Sequence, residues 1–184
     1  MPRSKARRAL PVIAAVVLAD VVTKALAVRY LVPQRVPHDV IGEWLRLTLV
    51  YNPGAAFGLH VGEHSRWVFM VLTVIALAIL GSLYRATREG EGARVLALAL
   101  VTAGAIGNLI DRVRSDLGVV DFLDVGVGAT RWPTFNVADM AVSGGAMLLA
   151  WVLWREDQAA DAAAPAAAPG DPVHAPIAPP HRIS

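Results

Sequence analysis

Cysteine is absent from the chain. Disulfides, thiolate metal centres and a cysteine nucleophile are excluded with it, and the chain cannot itself be lipidated on cysteine. Lysine is nearly absent too, with Lys5 and Lys24 the only two. A serine–lysine catalytic dyad is therefore a poor reading, because Lys24 already has Asp20 four residues before it on one helical face. Charge is sparse: 17% of residues are charged and the net is +2. The basic residues cluster beside apolar runs, so they report topology and not nucleic-acid binding. No internal repeat is visible.

What the chain has is apolar length. Hydrophobic residues make up 55% of it, more than a soluble domain of this size usually carries. A transmembrane helix needs ~20 mostly apolar residues, and four segments qualify: 9–31, 67–84, 95–110 and 137–154. Arg3, Lys5, Arg7 and Arg8 precede the first, Arg85, Arg88 and Arg94 separate the second from the third, and Arg155 follows the fourth. The positive-inside rule places those three regions, and hence both termini, in the cytoplasm. Residues 32–66 and 111–136 then face outward. The N-terminus also resembles a secretory signal peptide, with "ALA" at 25–27 as a cleavage site, but Asp20 and Lys24 interrupt that pattern and favour a retained helix. "WLRLTLVY" at 44–51 predicts a short strand or hairpin on the membrane surface. The last stretch, 155–184, holds six of twelve prolines and almost no large apolar residue, which predicts a disordered cytoplasmic tail. The expected fold is an all-α integral membrane protein with residues 1–8 as a basic cytoplasmic start and 9–154 as the membrane domain.

The polar groups inside the apolar runs gather at one level. Asp20 lies ~16 Å into the first span at 1.5 Å per residue, with Lys24 nearer the outside. Asn108, Asp111 and Arg112 end the third span, Asn136 and Asp139 begin the fourth, and Asn52 precedes the second. Ionisable groups in a membrane are costly, so such a gathering marks function. Asp139 is the only carboxylate in its span. Asp121, flanked by Val119, Val120, Phe122 and Leu123, should be desolvated, with a raised pKa. Asp111, followed by Arg112, reads as a member of an ion pair or a helix-end group. Asp116 and Asp124 read as solvated loop charges. Position alone leaves Asp111, Asp121 and Asp124 open as partners of Asp139.

Two neighbouring carboxylates cannot both ionise cheaply, so they share a proton. The ionised one can activate water against a carbonyl carbon while the protonated one donates to the carbonyl oxygen. That is peptide hydrolysis without metal or cofactor. "HVGEH" at 60–64 matches an inverted zinc-peptidase pattern, but Gly62 interrupts the helix such a site requires. A transporter or proton-relay subunit would also bury acids, yet paired repeats and a midplane site are not evident. Spacings such as Gly104 to Asn108 and Ser143 to Gly145 suit close helix packing.

These residues, taken in order, resemble the lipoprotein signal peptidases, or signal peptidase II. "DVVTK" at 20–24 resembles Asp-Gln-x-x-Lys with Val21 for glutamine. "NPGAAFG" at 52–58 resembles Asn-Thr-Gly-Ala-Ala-Phe with Pro53 for threonine. "AGAIGNLIDR" at 103–112 resembles Gly-Gly-Ala-x-Gly-Asn-x-x-Asp-Arg with Ala103 for the first glycine. "VVDF" at 119–122 and "FNVAD" at 135–139 match unchanged. The resemblance covers about residues 9–154. It implies four transmembrane helices with a small extracytoplasmic β-cradle, and a place in the bacterial cytoplasmic membrane. It implies a catalytic dyad of Asp121 and Asp139 with Asp111 supporting. Asn52, Gly54, Asn108, Arg112 and Asn136 would line the site, and Asp20 and Lys24 would brace the first helix. The implied substrate is a prolipoprotein with diacylglycerol on its cysteine, cut just before that residue. The remaining implications are sensitivity to globomycin, membrane lipids as surroundings, a monomeric state, and no metal, cofactor or nucleic acid.

Overall fold

The apolar runs extend further as helices than hydropathy alone marks them. A computed structural model describes residues 3–54 and 62–163. Its elements are α1 (Arg3–Tyr30), β1 (His38–Ile41), β2 (Leu45–Asn52), a 3₁₀ turn (Gly62–His64), α2 (Ser65–Ala86), α3 (Gly92–Arg114), β3 (Val119–Val127), β4 (Thr130–Arg131) and α4 (Val137–Ala163). Among the described residues four helices are long and apolar enough to cross a membrane. The third, expected to be short at 95–110, runs from Gly92 to Arg114. Its polar last turn stays helical because Asn108, Asp111 and Arg112 all find partners there. The tail, expected to lack structure from residue 155, is helical to Ala163. Alanine, glutamate and glutamine in "REDQAADAA" are strong helix formers, and they prolong a helix that already exists. Residues 164–184 lie outside the described part.

α3 is the central helix. In its most apolar stretch 44% of residues are buried, against 6% for α2. Five of the seven buried residues of α3 are small: Ala97, Ala99, Ala103, Gly104 and Gly107. Lipid is as apolar as leucine, so helices associate through close packing, which small residues allow. A Cβ on Gly104 would fall 2.3 Å from the Ala138 carbonyl oxygen, so α4 crosses α3 in backbone contact. Larger apolar side chains such as Leu18, Val71, Ile75, Ile79, Met147 and Trp151 point outward, as lipid-facing residues do.

The strand expected at 44–51 is β2, the second strand of an antiparallel four-stranded sheet ordered β1-β2-β3-β4. β3, which carries Asp121, was not foreseen as a strand. One side of the β2–β3 pair packs Leu49, Val120 and Phe122 onto Ala27 and Leu31 near the end of α1. The register pairs Val50 with Asp121 and Asn52 with Val119. Asn52 is therefore the diagonal neighbour of Asp121 on one face of the sheet. The sheet thus delivers Asp121 and Asn52 to the end of the bundle where α3 stops and α4 starts.

Candidate active site

α4 begins with its first-turn N–H groups in need of acceptors. The Asn136 side chain accepts from the Asp139 N–H at 2.9 Å, and the Asp139 carboxylate accepts from the Asn136 N–H at 3.3 Å. This reciprocal arrangement is a capping box, and it fixes Asp139 in the first turn of α4. A third donor, the Ala138 N–H, is satisfied from α1 by Asp20 Oδ1 at 2.8 Å. Asp20 has 0% exposure and lies so close to α3 that a Cβ on Gly107 would be 2.6 Å from its Oδ2. Only glycine fits at that crossing.

Asn136, also wholly buried, joins the two candidate catalytic carboxylates. Its Nδ2 donates to Asp121 Oδ1 at 2.7 Å, with Asn108 Oδ1 at 3.2 Å and the Val120 carbonyl at 3.3 Å also accepting. Asn108 in turn donates to Asp139 Oδ1 at 2.7 Å. Asn52 donates to Asp121 Oδ2 at 3.2 Å and uses its own oxygen to accept from the Gly54 N–H at 3.0 Å. Gly54 has φ +120°, and a Cβ there would meet the Phe69 ring at 2.7 Å, so this turn admits only glycine. Both carboxylates are held by neutral amides, which orient without adding charge.

Lys24 lies behind them, 3% exposed. It pairs with Asp20 Oδ2 at 2.7 Å and Asp111 Oδ2 at 2.8 Å, and donates to Asn108 Oδ1 at 3.1 Å. Asp111 was expected to answer to Arg112. Its partners are instead Lys24 and the Val120 N–H at 3.3 Å, because neighbouring residues on a helix point to different sides. Arg112 donates to the Asn108 carbonyl at 3.1 Å and sits over the Phe69 ring. The structure thus brings Asp20, Lys24, Asn52, Gly54, Asn108, Asp111, Arg112, Asn136, Asp121 and Asp139 into one connected cluster.

Asp124 stands apart and corrects the expectation of a solvated charge. It is buried, accepts from the Thr48 hydroxyl at 3.0 Å, and forms an ion pair with Arg131. Arg131 also donates to the Glu43 carbonyl at 2.9 Å, fastening the β1–β2 turn to β4. The strand, unrecognised in sequence, explains the error. Asp116 is exposed as expected, and pairs with Arg66. Of the zinc-like pattern, His64 ends the 3₁₀ turn before α2, and His60 lies outside the described residues.

The cluster opens into a cleft of about 410 Å³ lined by Asn52, Gly54, Phe69, Arg112, Trp132, Phe135, Asp139 and Ser143 among others. Asp139 faces this space. Asp121, 2% exposed, sits deeper. Burial, reinforced by the charge of Asp139, pushes the Asp121 carboxyl up from its ordinary 3.8 to about 7, against the pull of the Asn52 and Asn136 amides. The apolar wall formed by Phe69, Trp132, Phe135 and Val142 was not foreseen. Its residues come from three segments, and no spacing in sequence joins them.

Known proteins are similar to this chain over most of its length. The family model described as "Signal peptidase (SPase) II" matches residues 12–155. The lipoprotein signal peptidase of Halothermothrix orenii is 40% identical over 151 residues, which covers 82% of this chain and 97% of the relative. That of Pelotomaculum thermopropionicum is 44% identical over 142 residues, 77% of this chain and 88% of the relative. That of Mycolicibacterium smegmatis is 43% identical over 154 residues, 80% of this chain but 61% of the longer relative. A bacterial membrane enzyme solved by the in meso method at 2.3 Å superposes with TM-score 0.73 at 30% identity, covering 81% of this chain and 88% of the other.

Proposed function

Since the chain belongs to the signal peptidase II family, we propose that it removes the signal peptide from diacylglyceryl-modified prolipoproteins, with Asp121 and Asp139 as its catalytic dyad. The observation that carries the assignment is the pair of carboxylates tied together by Asn136 at the inner end of the cleft. The scissile peptide enters along the Phe69 and Trp132 wall. Asp139, on the cleft surface, takes a proton from water as the oxygen attacks the carbonyl carbon. Asp121, kept protonated by burial up to about pH 7, gives its proton to the carbonyl oxygen. The gem-diol intermediate collapses as the C–N bond breaks: one hydroxyl proton returns to Asp121, and the proton held by Asp139 passes to the leaving amine, whose residue is the lipidated cysteine. Asn108, Asn136 and Asn52 hold the carboxylates at fixed angles throughout. Lys24 pairs with both acids behind the site, Asp20 and Asp111, and so balances their charge beside the dyad. A transporter reading has no support: the acids collect where α3 stops and α4 starts.

The basic residues support an orientation with both termini in the cytoplasm and the cleft on the outer side. The protein then works at the outer face of the bacterial cytoplasmic membrane, as a monomer. The test is incubation of the purified protein with a diacylglyceryl-modified prolipoprotein, scored for conversion to the mature size. Cleavage should require the lipid on cysteine and should vanish in Asp139→Asn. Conversion of the wild-type substrate by Asp139→Asn at the normal rate would remove Asp139 from the chemistry.

A further inference from the structure

At the end of the bundle opposite the cleft, the α1 and α2 backbones stand apart, and Lys5 of α1 reaches across to the end of α2. No Cα of α1 comes within 8 Å of one in α2 among the described residues, whereas packed helices lie with axes ~8–10 Å apart and many closer atoms. The gap between them is an apolar crevice of about 250 Å³. α1 contributes Ala6, Ala9, Leu10 and Ile13, and α2 contributes Leu77, Leu80, Gly81 and Tyr84. Each set is an i, i+3, i+4, i+7 stripe, so each helix turns a complete face toward the gap. Leu98, Ala99 and Thr102 of α3 form the floor. An ideal Cβ on Gly81 would meet nothing within 4 Å, so the crevice is open where the stripe is smallest. A dry void of this size forfeits its packing contacts, and water gains no partners in so apolar a space. Hydrocarbon fills it at least cost.

The mouth of the crevice supplies the second half of the recognition. Lys5 closes the end of α2 by donating to the carbonyls of Tyr84 and Thr87, and stands over the Tyr84 ring. Around it lie Arg7, Arg8, Arg85 and Arg88, all exposed. Two acids at this end, Glu91 and Glu156, pair with Arg94. Basic residues at the cytoplasmic edge of a crevice between transmembrane helices suit an anionic lipid headgroup.

We propose that the α1–α2 crevice is a binding site for one anionic phospholipid of the inner leaflet, with an acyl chain between the two helices and the headgroup among Arg7, Arg8, Arg85 and Arg88. The leaflet follows from the orientation proposed above, and the site is independent of the peptidase chemistry. The lipid supplies the packing that α1 does not give α2, and α2 carries Phe69 into the cleft wall.

The experiment is native mass spectrometry of the full chain released from nanodiscs of equal parts phosphatidylglycerol and phosphatidylcholine. It reads lipid mass, so its outcome does not depend on cleavage. The wild type should retain one phosphatidylglycerol, at least fivefold over phosphatidylcholine. Gly81→Phe, whose Cβ meets nothing within 4 Å and whose ring is sized to occupy the crevice, should lose that lipid, while its melting temperature in detergent stays at or above that of the wild type. Replacement of Arg7, Arg8, Arg85 and Arg88 by glutamine should abolish the preference between the two lipids. Equal retention of both lipids by the wild type, unchanged retention in Gly81→Phe, or a dimer mass without lipid would each overturn the proposal.

Discussion

Replacing Asp121 with asparagine should remove most of the pH dependence of the protein's stability. In the folded chain this carboxyl titrates at about 7, against an ordinary value of 3.8. The folded state therefore holds a proton that the unfolded state has released at intermediate pH. Stability from this group is complete below about pH 4, falls as pH rises, and is lost above about pH 7. Each pH unit inside that window costs ~1.4 kcal/mol. Between about pH 5 and about pH 8 the loss comes to ~2–3 kcal/mol. With only 2% exposure, solvent does little to dilute the effect. For a chain of this size that corresponds to a melting temperature lower by ~5–10 °C at the higher pH. The assay is thermal unfolding in detergent across this range, taken as the difference between wild type and Asp121→Asn. The difference isolates Asp121 from every group that the two proteins share. Asp139→Asn removes the second cause of the raised value, so its slope should fall between the other two. The cleavage rate of the wild type should decline above about pH 7, as the acid loses its proton. A variant with asparagine at 121 that keeps the wild-type slope, or a wild type that gains stability with rising pH over this range, would refute the account.

Lys24→Met should lower the melting temperature more than Asp20→Asn does. It strands two carboxylates, the wholly buried Asp20 and the partly buried Asp111, where the other strands none, and breaking a buried pair costs ~3–5 kcal/mol. The reverse order in a thermal melt would deny Lys24 its central place. Arg131→Ala should release the strand leading to Trp132 and raise KM for the lipoprotein several-fold with a smaller change in kcat, measured by steady-state cleavage; an unchanged KM would separate that clasp from the cleft wall. Because the chain lacks cysteine, a cysteine placed at Asp116, whose side chain is 92% exposed, should react with an impermeant maleimide in intact cells. One placed at Ala93 should react only after permeabilisation, and the opposite result would invert the proposed orientation.

Much of the site could be read from local spacing. Asp20 and Lys24 are four apart, and Asn136 and Asp139 three apart, so their pairings follow from helix geometry alone. The apolar flanks of Asp121 announced its burial, because a carboxylate between valines and phenylalanine has little water within reach. The misread residues depend on distant segments. Asp124 meets Thr48 across 76 residues of chain, through a strand register that nothing local specifies. Asp111 turns from its neighbour Arg112 to Lys24 because α1 and α3 pack there, which only the assembled bundle decides. β3 escaped notice because "VVDFLDV" lacks the clean alternation of a half-exposed strand. It is covered on both faces, so apolar residues and acids occur on each.

The ion pair between Asp20 and Lys24 also bears on how the chain enters the membrane. α1 is synthesised first, and it meets the bilayer long before α3 exists to offer Asp111 and Asn108. A single charged side chain near the middle of an inserting helix costs ~2.5–3.5 kcal/mol. Two opposite charges one turn apart can satisfy each other as soon as that turn is helical, so the segment crosses as a nearly neutral rod with its pair already made. When α3 arrives, Lys24 keeps Asp20 and adds Asp111, and the N–H of Ala138 comes to rest on the other oxygen of Asp20. The contact that lets the first helix insert alone becomes the anchor on which the third and fourth helices are mounted.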